Sequence, residues 1–69
     1  MASTFKLIEV VGVSEKSYED AISSAVASAA KTLQGLAWFE VTELRGSISN
    51  GKPKEYQVKV KIAFKIVEG

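Results

Sequence analysis

The sequence predicts an α+β fold, a β-α-β-β subunit whose three-stranded antiparallel sheet, in the order 1-3-2, curls around one helix. Three observations carry this. A single helical stripe of apolar residues lies between Tyr18 and Leu33. Extended, β-branched and aromatic segments precede and follow it. The last two of these segments flank an Asn50-Gly51 pair, the signal of a two-residue type I′ hairpin.

The first element, about Phe5 to Val11, has apolar residues on both faces and reads as a short strand ending at Gly12. Ser14-Glu15-Lys16-Ser17 then opens the helix, with Ser17 and Asp20 spaced as a capping box. Glu19 and Asp20 set negative charge at the positive end of the helix dipole. Tyr18, Ile22, Ala25, Val26, Ala29 and Leu33 form the stripe, which carries the helix through Gln34. Gly35 supplies a left-handed stop, and Leu36 is placed to fold back on the helix.

Two long extended segments follow, about Ala37–Ile48 and Lys54–Val67. In the second, Tyr56, Val58, Val60, Ile62, Phe64 and Ile66 alternate with Gln57, Lys59, Lys61, Ala63 and Lys65. The first set is expected under the helix. Pro53 falls at the strand edge, where a missing donor is tolerated. A helical return makes the first two strands parallel, with the third between them and antiparallel to both.

The turn sets Ser49 opposite Lys52, and an uninterrupted ladder then fixes the rest. Phe39, Val41, Glu43 and Arg45 are expected on the helix side with Ile62, Val60, Val58 and Tyr56. Trp38, Glu40, Thr42 and Leu44 are expected on the other side with Ala63, Lys61, Lys59 and Gln57. The single tryptophan therefore faces away from the helix, beside lysines. An indole there is buried by another subunit, by a planar ligand, or by both.

Size and composition narrow the function. One domain spanning residues 1–69 is the ceiling for a chain of this length. With no cysteine and no histidine there is no disulfide framework, zinc finger, thiol nucleophile or histidine base. A formal charge of +1 argues against a nucleic-acid partner. No apolar run approaches the ~20 residues of a membrane span, and no secretory signal is read at the start, so a cytoplasmic setting is expected. Chains this small bury only ~60% of their unfolded surface, which leaves self-association as the remaining source of stability. Lengths point the same way. Eighteen helical residues span roughly 27 Å, whereas strands of twelve to fourteen span roughly 40–46 Å. The ribbon is expected both to bend at Gly46 and to pack its surplus on neighbouring subunits.

Catalytic constellations are thin. The serines have no histidine to activate them, no phosphate loop is present, and Glu40 and Glu43 are expected on opposite faces. Catalysis is not expected. The small residues of Ser23–Ala30 read as close helix packing. Lys59, Lys61 and Lys65 read either as a solvated outer face or as an anion-binding row.

Several runs together resemble the dodecins. They are Val10–Ile22, Lys31-Thr32-Leu33, Trp38-Phe39-Glu40-Val41, Glu43-Leu44-Arg45-Gly46 and Tyr56-Gln57-Val58, and they cover essentially the whole chain. The resemblance implies a homododecamer, hollow and of cubic symmetry, that binds flavin, typically FMN, with riboflavin or FAD as related ligands. It implies storage and sequestration rather than turnover. In this family, isoalloxazine rings stack between symmetry-related tryptophans and a glutamine bonds the polar edge of the ring; Trp38 and Gln57 match these. Arg45 matches an arginine near the flavin, and Lys65 stands where some members carry arginine. Some members also bind coenzyme A. The alternatives are a structural or scaffold homo-oligomer without flavin, and a binder of phosphorylated ligands such as coenzyme A.

Overall fold

The structure is a computed structural model and describes residues 2–67. Strand β1 (Phe5–Ser14) leads into helix α1 (Tyr18–Ala30), and β2 (Leu36–Ser49) and β3 (Lys52–Lys65) form the hairpin. The sheet order is β1-β3-β2, antiparallel at both junctions, as the sequence predicts.

Strand β1 runs past its expected end. Gly12 does not stop it but pairs with Val58 inside the ladder. A Cβ on Gly12 would lie 2.0 Å from the carbonyl oxygen of Ala21. The glycine is there because the helix backbone crosses the strand in contact with it, a close approach that admits no side chain.

The helix is shorter than the stripe implies. It closes at Ala30, where the amides of Lys31 and Thr32 turn to the carbonyls of Ser28 and Ala29, both at 3.3 Å. This is a tightened last turn. Gly35, at φ +75°, then redirects the chain into β2, and Leu36 packs on the core as expected.

The buried helix face is Ala21, Ala25 and Ala29, set on Val58, Val60 and Ile62 of β3. Ile22, Val26 and Leu33 flank that line. Tyr18 stays exposed, with its ring edge-on to Tyr56 at 5.0 Å between centroids. Methyl groups alone on the contact line let helix and sheet approach closely.

At the start of α1, Ser17 Oγ accepts from the Asp20 amide at 3.0 Å. The reciprocal half of the expected box is rerouted. Asp20 is too short to reach back directly, and its carboxylate instead accepts from Ser14 Oγ at 2.6 Å. Ser14 Oγ in turn accepts from the amides of Lys16 (2.9 Å) and Ser17 (3.4 Å). The cap is thus a three-residue relay.

At the hairpin, Asn50 and Gly51 have φ of 54° and 75°, the two positive values a type I′ turn requires. Strand β3 ends at Lys65, leaving Ile66 and Val67 outside it. Pro53 lies beyond the last residue that β1 pairs, so its missing donor breaks no bond to that strand.

The helix packs on β1 and β3. Thirteen residues cover roughly 20 Å of a hairpin whose strands span roughly 46 Å. The inner face of β2 therefore stays open. Phe39, Val41, Leu44 and, near the tip, Ile48 (77% accessible) are exposed. Phe39 forms one wall of an open groove of about 700 Å³ whose other walls include Ile22, Val26 and Ala27.

Candidate ligand-binding face

The sheet face opposite the helix carries four residues singled out above: Trp38, Arg45, Gln57 and Lys65. Of the three register shifts in the hairpin, one leaves Ala37 as an extra residue between Leu36 and Trp38, and the other two determine how these residues sit. Ser47 pairs with Glu55 but Ile48 with Pro53, so Lys54 is an extra residue in β3. Val41 pairs with Val60 but Glu43 with Lys59, so Thr42 is an extra residue in β2. Thr42 Oγ1 donates to the Lys59 carbonyl at 3.1 Å, tying the bulged residue to the ladder.

Between the two shifts, the uninterrupted ladder expected from the turn is wrong by one residue. Glu43 and Arg45 lie opposite Lys59 and Gln57 on the outer face, and Leu44 and Gly46 lie opposite Val58 and Tyr56 on the helix side. The expected placement of Glu43 and Arg45 with the core is thereby corrected, and so is that of Leu44 with Gln57. Glu40 and Glu43 also share a face after all. Each sits opposite a lysine, Lys61 and Lys59. Gly46 marks no shift; it lies where a Cβ would be 2.6 Å from the Glu55 carbonyl oxygen.

Beyond Thr42 the shifts cancel, and Trp38 pairs with Ala63 as expected. The indole is 48% accessible on the outer face. Its ring meets Phe5 of β1, with centroids 4.9 Å apart and planes inclined by 55°. The sequence reading did not single out Phe5. The available signal was that Phe5 and Leu7 alternate onto the same face as Lys65 and Ala63. Lys65 lies opposite Phe5, two residues from Ala63, which places its stem at the tryptophan end of the face.

At the other end, Arg45 Nε donates to Gln57 Oε1 at 2.7 Å. Arg45 Nη1 and Lys59 Nζ approach Glu43 Oε1 at 4.0 and 3.9 Å. Lys61 is flanked in register by Glu9 and Glu40. The lysine row is thus interleaved with carboxylates and is not an unopposed cationic stripe. Exposed pairs of this kind hold little energy, but they cancel the local potential that would draw in an anion.

Trp38 and Gln57 are not brought together within one subunit. Ala63, the partner of Trp38, is six residues from Gln57 along β3, roughly 20 Å. Among the described residues no group of three or more Asp or Glu side chains is placed to hold a metal ion. No helix among them is long and apolar enough to cross a membrane.

The β-α-β-β topology with sheet order 1-3-2 matches that of dodecin structures. The family model described as Dodecin matches residues 4–67. A dodecin of Thermus thermophilus is 47% identical over 68 residues, covering 99% of each chain. A crystal structure of a T. thermophilus protein superimposes with a TM-score of 0.94 at 46% identity, covering 99% of this chain and 100% of the other. A calcium dodecin of Mycobacterium tuberculosis, described as having a calcium-binding site, gives 0.83 at 25% identity over 97% of this chain and 96% of its own. The chain belongs to the dodecin family.

Proposed function

We propose that this chain is a flavin-binding storage and sequestering protein, not an enzyme, that holds FMN or a related flavin against Trp38 in sites shared between the subunits of a homododecamer. The observation that carries the reading is the exposed indole on the sheet face away from the helix. An indole left open to water on a rigid strand is a ready stacking surface for a broad planar ring. The uncovered inner face of β2 supports the assembly, because Phe39, Val41, Leu44 and Ile48 have no cover from their own helix.

The residues present fit such a ligand. Trp38 supplies the plane. Gln57 offers donors and an acceptor side by side, which suits the pyrimidine-like edge of a flavin. Its Oε1 is held by Arg45, so the amide is oriented with its NH2 free to donate elsewhere. Lys65 stands at the tryptophan end of the face, where its ammonium supplies positive charge for a phosphate, and Arg45 stands at the other end, where its guanidinium, shared with Glu43, has donors for a ribityl hydroxyl. With roughly 20 Å between the two ends, one ring cannot use both Trp38 and Gln57 of a single subunit. The site is therefore composite, and binding is coupled to assembly. A bound flavin would supply a polarisable ring whose excited state a touching indole can quench, which makes sequestration photoprotective.

The test is titration of the assembled protein with FMN, followed by flavin fluorescence, for the wild type and Trp38→Ala. Strong quenching that the substitution abolishes supports the reading. Absence of quenching favours a scaffold without flavin. Salt-sensitive binding of coenzyme A, indifferent to Trp38→Ala, favours a binder of phosphorylated ligands.

A further inference from the structure

We propose that Phe5 is a positioning residue for Trp38, and that Ala63 provides the clearance that lets the two rings meet. The proposal rests on the flavin reading above and names the residue that sets the attitude of its stacking surface. Phe5 and Trp38 belong to β1 and β2, the two outer strands, with β3 between them. Neighbouring strands lie about 4.8 Å apart, and Phe5 faces Lys65, two residues along β3 from the Ala63 that faces Trp38, so side chains rising straight from the outer two would stand about 12 Å apart. The ring centroids are 4.9 Å apart. The two rings therefore close on each other diagonally across the central strand.

The residue of β3 beside Trp38 on that diagonal is Ala63, paired with Leu7 on its other side and wholly covered at 0% accessibility, while Lys65 faces Phe5. A methyl group leaves the space into which the rings close. A larger residue at position 63, such as the lysines at 59 and 61 on the same face, would fill that space. The strand ends at this corner are tied on both sides. The Ile66 amide donates to the Thr4 carbonyl at 2.9 Å, and the Lys65 amide donates to the Gly35 carbonyl at 3.0 Å. Phe5 is thus on anchored backbone, and its tilted contact removes rotamer freedom from the indole while leaving nearly half of it accessible. A stacking plane held in one attitude binds a flat ring without first having to be ordered.

Trp38 is the single tryptophan, so its fluorescence reports one site. The experiment compares wild type, Phe5→Leu and Phe5→Tyr as assembled, flavin-free protein. It measures time-resolved anisotropy of Trp38, then FMN affinity, with native mass as the control for assembly. Phe5→Leu is expected to add a fast depolarising component and to weaken FMN roughly three- to tenfold, the loss of one aromatic contact. Phe5→Tyr is expected to retain both wild-type properties. Should Phe5→Leu fail to assemble, Phe5→Met carries the same comparison. Unchanged anisotropy in Phe5→Leu, or unchanged affinity despite a freed indole, overturns the proposal. Failure of the wild type to bind FMN removes the flavin reading instead, and the anisotropy comparison still decides whether Phe5 orders Trp38.

Discussion

Arg45 Nε and Gln57 Oε1 meet at 2.7 Å across the outer face of the hairpin. They do so because Lys54 adds one residue to β3 near the turn, and Thr42 adds one to β2 further on, which restores the register. With an uninterrupted ladder, Arg45 would point at the core and Gln57 would lie beside a leucine. The pair of bulges leaves Trp38 where the turn alone would set it and moves only the polar segment between them. Arg45→Ala should free the Gln57 amide while changing stability by less than about 1 kcal/mol, since the contact is exposed. FMN titration is expected to show weaker binding, with thermal unfolding nearly unaltered. A large fall in unfolding temperature would mean that the pair serves the fold instead.

Trp38→Ala should lower FMN affinity by about 5- to 150-fold, because one stacked aromatic face contributes about 1–3 kcal/mol. Trp38→Phe should recover part of that loss. Flavin fluorescence titration distinguishes the three proteins, and circular dichroism should show the same secondary structure in each.

Gly12→Ala and Gly51→Ala separate two reasons for a glycine. At Gly12 a methyl would collide with the backbone of Ala21, so the helix must lift from the sheet. The expected cost is about 3 kcal/mol or more, seen as lost helical signal or failure to assemble. At Gly51 nothing lies within 4 Å, but φ is +75°, so the expected cost is only about 1–2 kcal/mol. Chemical denaturation should rank Gly12→Ala well below Gly51→Ala.

Ser14→Ala should destabilise more than Ser17→Ala, although both residues serve the same helix start. Ser17 supplies one capping acceptor, worth about 1 kcal/mol. Ser14, only 7% accessible, donates to a carboxylate and accepts from the backbone, and bonds to charged groups are worth about 1.5–3 kcal/mol. Denaturant midpoints of the two variants give the order. The reverse order would mean that the relay through Ser14 is not the principal cap.

Much of the fold could be read from residues whose meaning is local. Asn50-Gly51 fixes the turn, the alternation of β3 fixes its two faces, and Ser17 fixes the helix start. What was not legible depends on contact between elements. Gly12 looks like a strand stop when read along the chain, and only the helix passing over it shows why a side chain is excluded. The bulges at Lys54 and Thr42 carry no turn residue to announce them, so the register of Glu43, Leu44 and Arg45 had to be seen. Trp38 was placed correctly because the two shifts cancel before reaching it. Phe5 went unnoticed because its partner is two strands away.

Native mass spectrometry with the visible absorption spectrum, recorded before and after addition of FMN, bears on assembly and binding together. The expected species has twelve copies of the 7.4 kDa chain, about 89 kDa, and gains bound FMN that remains through desalting and colours the protein. A chain that stays monomeric, or an assembly that passes through desalting colourless after saturating FMN, would contradict a flavin store built between subunits.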